Sequence, residues 1–157
     1  MEYCIKEIQN PEVKSAICDA VLHSLPDWFG IENAIRDYIL GVKDMKFWAA
    51  YESGRAVGFC ALGIHYESSA EVHVMGILEE HHRNGIGRQF MHECENYCKE
   101  CGCEFLSVKT VDELSPDVYY ARTREFYLAM GFKKLELFKT LWDEHNPCLM
   151  LIKHIKL

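Results

Sequence analysis

The chain has 157 residues, of which 49% are hydrophobic and 26% charged, and its formal net charge is −7 at pH 7. That length suits one domain spanning 1–157 with a sizeable core and is short for two. No apolar run approaches the roughly 20 residues of a membrane helix, and Met1-Glu2-Tyr3-Cys4-Ile5-Lys6 lacks the basic and apolar regions of a signal peptide, so a cytoplasmic protein with no membrane contact is expected. The acidic balance also argues against a nucleic-acid partner, which demands clustered Lys and Arg, and it suits a cationic amine better.

In chain order, Tyr3 to Ile8 alternates like a strand, and Asn10-Pro11 supplies an N-cap and N1 proline for a helix through Val13, Ile17, Ala20 and Val21 that ends near His23. Leu25-Pro26-Asp27-Trp28-Phe29-Gly30 breaks the periodicity and leaves two large aromatics in a loop. Ile31, Ala34, Ile35, Tyr38 and Ile39 form a second helical stripe closed by Gly41. Phe47 to Glu52 and Ala56 to His65 read as strands joined by a Ser53-Gly54-Arg55 hairpin turn, and Glu71 to Ile77 as a fourth strand. Ile86, Phe90, Cys94, Tyr97, Cys98 and Cys101 recur at helical spacing before a Gly102 stop. Glu104 to Val111 is a fifth strand. Ser115-Pro116 opens a helix with Tyr119, Thr123, Phe126, Tyr127 and Met130 on one side and Gly131 as its stop. Lys134 to Lys139 and Cys148 to Ile155 complete the strands, and Leu149-Met150-Leu151-Ile152 suggests burial on both faces. Strands and helices interleave as one α/β unit around a mixed sheet.

Eight cysteines without an export signal point to reduced thiols rather than a disulfide framework. Cys94, Cys98, Cys101 and Cys103 are close in sequence, but only Cys98 to Cys101 has the Cys-x-x-Cys spacing that a zinc site needs twice. The first three fall on the apolar helical stripe, where free Cys acts as a small hydrophobe, so no metal is expected.

The most chemically suggestive stretch is His81-His82-Arg83-Asn84-Gly85-Ile86-Gly87-Arg88-Gln89-Phe90, between a strand-like run and a helix-like run. A helix mouth presents unpartnered N–H groups and the positive end of the dipole, which attract phosphate. Gly85 and Gly87 lack Cβ atoms that would keep a ligand from the backbone, and Arg83 and Arg88 add charge. The same spacing also describes a tight connection that binds nothing. Neither the P-loop pattern nor a complete G-x-G-x-x-G is present.

The segment His82-Arg83-Asn84-Gly85-Ile86-Gly87 resembles the acyl-CoA loop of the GNAT family of N-acetyltransferases, with His82 where the family carries Arg or Gln. Thr123-Arg124-Glu125-Phe126-Tyr127-Leu128-Ala129-Met130-Gly131-Phe132 resembles that family's late helix ending in Gly-Phe. The two matches in the right order imply a GNAT fold, a mixed and mostly antiparallel seven-stranded sheet with about four helices. They also imply direct transfer of an acetyl group from acetyl-CoA to a small-molecule or peptide amine in a ternary complex, without an acyl-enzyme. A possible homodimer follows only from dimers being common in the family.

The resemblance further implies that backbone groups at Ile77 and Leu78 bind the pantetheine arm, while His82, Arg83, Asn84, Gly85, Ile86, Gly87 and Arg88 take the pyrophosphate. Glu71 and His73, two apart and so on one strand face, match positions where members carry a general base; the structural alternative leaves Glu71 at the solvent edge and His73 bonded locally. Tyr127 matches the tyrosine that protonates the leaving sulfur, the alternative being a core aromatic. Tyr120 stands where many members have a CoA-contacting asparagine. Trp28 and Phe29 lie in the segment that covers the acceptor in the family, or else plug the core edge. Acceptor choice is expected from 24–31, 66–70 and 142–147. A competing reading from another class is a non-catalytic acyl-CoA sensor that keeps the loop without turnover.

Overall fold

A computed structural model describes residues 2–157. Its strands are β1 (Cys4–Glu7), β2 (Lys46–Glu52), β3 (Arg55–Tyr66), β4 (Ser69–Ile77), β5 (Phe105–Val111), β6 (Lys133–Asp143) and β7 (Asn146–His154). Its helices are α1 (Pro11–His23), α2 (Glu32–Gly41), α3 (Ile86–Cys101) and α4 (Val118–Ala129), with single 3₁₀ turns at Val42–Asp44 and Glu79–His81. The strands make one seven-stranded sheet in the order β1-β2-β3-β4-β5-β7-β6. The pairs β1–β2, β2–β3, β5–β7 and β6–β7 are antiparallel, whereas β4 and β5 are parallel over Ser69↔Phe105 to Val72↔Val108. This is the mixed sheet with four helices that the sequence leads one to expect.

Local chemistry sets most element ends. The Asn10 side chain accepts from the N–H groups of Glu12 (2.9 Å) and Val13 (3.1 Å), and Pro11, at N1, has no N–H to satisfy. Ser53 and Gly54 both have positive φ, 50° and 79°, as a two-residue hairpin turn between twisted strands requires. Helices α3 and α4 end in the same way. Gly102 (φ 77°) donates to Lys99 and Cys103 to Cys98; Gly131 (φ 96°) donates to Leu128 and Phe132 to Tyr127. Each pair is a Schellman closure, in which a left-handed residue turns two N–H groups back onto orphan carbonyls. At α4 the accompanying apolar contact is Tyr127 against Phe132, ring centroids 5.4 Å apart.

Several expectations are corrected. Helix α4 begins at Val118, not at Ser115-Pro116, because the Asp117 carboxylate accepts from the N–H groups of Tyr119 (2.8 Å) and Tyr120 (3.3 Å) and so serves as the cap. Helix α2 does end at Gly41, as expected, with φ −67°, and the chain tightens directly into the 3₁₀ turn. Strand β6 runs to Asp143, so 142–147 is the tip of the β6–β7 hairpin rather than an unpatterned loop. Within β7, Leu149 and Leu151 are buried while Met150 and Ile152 are half-exposed, so one face is covered more fully than the other. Cys101 is exposed at the end of the α3 stripe.

The chain gathers into two compact units. One runs to Gly63 and resumes over His73–Cys94; the other comprises Ile64–Val72 and Glu95–Leu157. In the first, Phe47 and Phe59 stack at 5.2 Å amid buried Val21, Leu22, Ile35, Val42, Ile86 and Phe90. A Cβ on Gly76 would come within 3.0 Å of Val21 Cγ1 and 3.3 Å of Leu22 Cδ2, so α1 lies directly on β4. In the second, Cys98, Cys103, Leu106, Val108, Tyr127, Phe132, Cys148, Leu149 and Leu151 are buried.

The two closures differ in surroundings, and this generates a contrast. A Cβ on Gly102 meets nothing within 4 Å, whereas one on Gly131 lies 3.3 Å from Lys153 Cε, and Lys153 is tethered to the Met130 carbonyl (2.6 Å) and to Glu95 (2.9 Å). Gly102→Ala is expected to cost about 1 kcal/mol from the left-handed backbone alone. Gly131→Ala should cost more, because it also displaces Lys153. Urea midpoints of the two variants against wild type check the order.

Candidate active site

The mouth of α3 is built from left-handed backbone. Arg83 has φ 62° and Gly85 φ 83°, on either side of Asn84, whose side-chain amide donates to the His81 carbonyl at 3.2 Å. The Gly85 carbonyl accepts the first helical bond, from Gln89 N–H at 3.1 Å, so Gly85 is the N-cap and the amides of the first turn have no intrahelical partner. Arg83, Asn84, Gly85 and Arg88 are exposed, whereas Ile86 and Gly87 are buried. Apart from its chain neighbours, no atom lies within 4 Å of a Cβ placed on Gly85, so the space beside Gly85 is open. The orphan amides and the helix dipole give this mouth positive polarity.

The residues expected to hold the rest of a long ligand are partly engaged by the protein. Leu78 donates its N–H to Val57 (2.9 Å), and its carbonyl accepts from His81 N–H (2.9 Å). The Ile77 carbonyl accepts from His82 Nε2 at 2.6 Å. The His82 ring also packs edge-on against Trp28, centroids 5.3 Å apart. The imidazole is thus turned toward strand and loop.

On β4, Glu71 does not begin the strand at the solvent edge: its side chain is only 8% exposed. Its carboxylate accepts from Lys109 Nζ and His65 Nε2, each at 2.7 Å. Burial pushes this carboxyl up, but the hydrogen bonds and charges of Lys109 and His65 outweigh it and hold the group below its usual 4.5. Such a carboxylate is a weaker proton acceptor than a free one. His73, two residues on, is half-exposed, lies edge-on to Tyr38 at 5.4 Å, and has Nε2 3.9 Å from the Cβ position of Gly41. Phe29 in turn meets Tyr38 at 6.2 Å. The loop aromatics therefore diverge, Trp28 toward His82 and Phe29 toward Tyr38.

Tyr127 is 4% exposed and lies edge-on to Phe126 (5.1 Å) and Phe132 (5.4 Å). Tyr120, half-exposed, sits in the first turn of α4. Sequence reading missed Lys109, His65 and Tyr38. Lys109 is two residues beyond Ser107, the partner of Glu71 across the parallel pair, so its approach depends on a register that no local pattern displays.

The thiols offer little. Burial pushes Cys18 and Cys98 up to about 12 and Cys148 to about 11, which keeps them protonated. Among the described residues no group of three or more His, Cys, Asp or Glu is placed to hold a metal ion. Among the same residues no helix is long and apolar enough to cross a membrane.

Lys109→Met removes the ammonium and keeps the stem, and it is expected to cost about 1–3 kcal/mol at pH 7 by leaving a buried carboxylate with one donor fewer. Because the folded state holds Glu71 below 4.5, the pair's contribution is complete above about pH 4.5 and is lost as pH falls through the lowered value. Urea unfolding from pH 7 to pH 3 should therefore show wild type and variant converging only at the acid end. A gap that stays constant would mean that Lys109 acts through packing alone.

The GNAT acetyltransferase family model matches residues 13–132. An uncharacterised N-acetyltransferase of Chlorobaculum tepidum is 26% identical over 121 residues, covering 75% of this chain and 70% of its own. A structure from Desulfovibrio desulfuricans described as an acetyltransferase of the GNAT family superposes with a TM-score of 0.84 at 16% identity, over 99% of this chain and all of that one. An aminoglycoside 6′-N-acetyltransferase in complex with coenzyme A superposes at 0.77 with 18% identity, over 98% of each chain. The match of the family model over most of the chain, on a sheet of the same architecture, makes this protein a member of the GNAT family and an N-acetyltransferase.

Proposed function

We propose that the chain transfers an acetyl group from acetyl-CoA directly to an amine acceptor, a small molecule or a peptide, within a ternary complex. The observation that carries this reading is the mouth of α3: left-handed Arg83 and Gly85, first-turn amides without an intrahelical partner, and open space beside Gly85. Pyrophosphate fits that donor set, with the backbone of Gly85 to Arg88 and the charges of Arg83 and Arg88 holding it. The coenzyme A complex of a structural neighbour supports the choice of ligand. The pantetheine arm is assigned to the backbone at the end of β4, around Ile77 and Leu78.

Acetyl-CoA supplies the activated acyl group as a thioester. The acceptor nitrogen must lose a proton as the C–N bond forms, and the sulfur must gain one as the C–S bond breaks. His73 is assigned the first role. It is half-exposed, whereas Glu71 is buried and held as an anion by Lys109. Glu71 then acts through its charge, on the same strand face as His73. Tyr127 is assigned the second role, and its edge-on contacts with Phe126 and Phe132 fix the phenol ring. Tyr120 is assigned a contact with CoA, and Phe29, through Tyr38, the wall of the acceptor site.

Thiol release from acetyl-CoA across a panel of amines tests the activity, and calorimetry with coenzyme A tests the loop. Gly85→Asp places a Cβ and a negative charge in the left-handed cap position, and it should abolish measurable coenzyme A binding in a folded protein. An unchanged dissociation constant would overturn the loop assignment. Tyr127→Phe keeps the ring contacts and should lower kcat by about 10²-fold, the low end for general acid catalysis because a thiolate leaves readily, with little change in acetyl-CoA affinity. Near-full kcat under conditions where chemistry limits turnover would remove Tyr127 from the mechanism.

A further inference from the structure

We propose that His82 is a positioning residue, one that fixes the cofactor loop by closing a carbonyl at the end of β4 and ties that loop to Trp28. The inference rests on the acetyl-CoA reading above and deepens it, because it gives the His82 side chain a role other than ligand contact.

The Leu78 N–H points toward β3, where it meets the Val57 carbonyl at 2.9 Å. Across a trans peptide the Ile77 carbonyl points the opposite way, away from β3. The recorded parallel register of β4 with β5 reaches only Val72↔Val108, five residues short of Ile77. A strand-end carbonyl so placed needs a donor from elsewhere, and His82 Nε2 provides it at 2.6 Å. Neutral imidazole protonated on Nε2 and the imidazolium both donate through that atom, so the bond does not depend on the charge of the ring. The closed segment, 77–82, contains the 3₁₀ turn and leads straight into left-handed Arg83. The orientation of the amides at the mouth of α3 therefore inherits its anchor from His82.

The same ring meets Trp28 of the α1–α2 connection in a T-shaped contact, centroids 5.3 Å apart. One imidazole thus joins the α1–α2 loop to a segment distant from it in sequence, the end of β4 and the loop that follows. A ligand that orders the loop must also act on Trp28, and whatever presses on Trp28 must act back on the loop to the same extent.

Three variants separate the two contacts. His82→Phe keeps a ring against Trp28 and lacks the donor; His82→Gln keeps an N–H donor and lacks the ring; His82→Ala lacks both. With coenzyme A as the probe and calorimetry as the readout, His82→Phe and His82→Ala should each weaken binding roughly tenfold, the effect of leaving one carbonyl unsatisfied, while His82→Gln restores most of it. Tryptophan emission is the second readout. Coenzyme A should change it in wild type, and Trp28→Phe should abolish the change. His82→Phe binding coenzyme A as tightly as wild type, or His82→Gln as weakly as His82→Ala, overturns the anchoring role. An emission change that persists in Trp28→Phe overturns the link to the loop. Wild-type protein that takes up no coenzyme A removes the acetyl-CoA reading itself, whereas wild-type binding with an indifferent His82→Phe removes this proposal alone.

Discussion

Getting from β4 into α3 requires the backbone to reverse within a few residues, and it does so by holding Arg83 and Gly85 in the left-handed region. Glycine occupies that region freely; arginine does so at a cost of roughly 1–2 kcal/mol. The cost is sustained because the surroundings fix the segment from both sides. His82 is bonded to Ile77, Asn84 to His81, and Ile86 and Phe90 are sunk in the core. What results is a row of amide donors that cannot bond within their own helix. The position of the proposed anion site, the direction of α3 and the exposure of Arg83 and Arg88 all follow from that reversal.

Buried polar chemistry elsewhere is similarly over-determined. Glu71 lies on a strand with buried Ala70 and Val72 on either side, where a lone carboxylate would be costly. Two donors from different elements make it tolerable, and in doing so they take away much of its basicity. A residue that looks by position like a proton acceptor is therefore more useful as a fixed negative charge. His73, two residues on, is half-exposed.

How much of this could be read from the sequence depended on the range of the interaction. Asn10-Pro11, Ser53-Gly54 and Gly102 act over a few residues, so their patterns are local and the elements they bound fall within a residue or two of expectation. Helix α4 starts after Asp117 rather than at Ser115-Pro116 because the Asp117 carboxylate turns onto the Tyr119 and Tyr120 N–H groups, a direction that no residue pattern displays. The pairing of Glu71 with Lys109 spans 38 positions and depends on the β4–β5 register, which the sequence does not display. The double use of His82 was hidden for another reason: a histidine in an Arg/Gln position of a phosphate loop suggests a ligand contact, and nothing in the motif says that the ring faces inward.

The closure of α4 fixes something beyond the end of a helix. Tyr127 is both the residue whose carbonyl receives Phe132 N–H and the residue whose ring packs on Phe132. Its place is thus set by counting backward from the left-handed Gly131, not forward from the Asp117 cap. One residue added between Tyr127 and Gly131 would turn the phenol about 100° around the helix axis, whereas the same addition near residue 120 would leave its phase untouched and shift only the start of the helix. The C-terminal turn of α4 is therefore intolerant of length change, and its N-terminal turn is where this chain has freedom to vary.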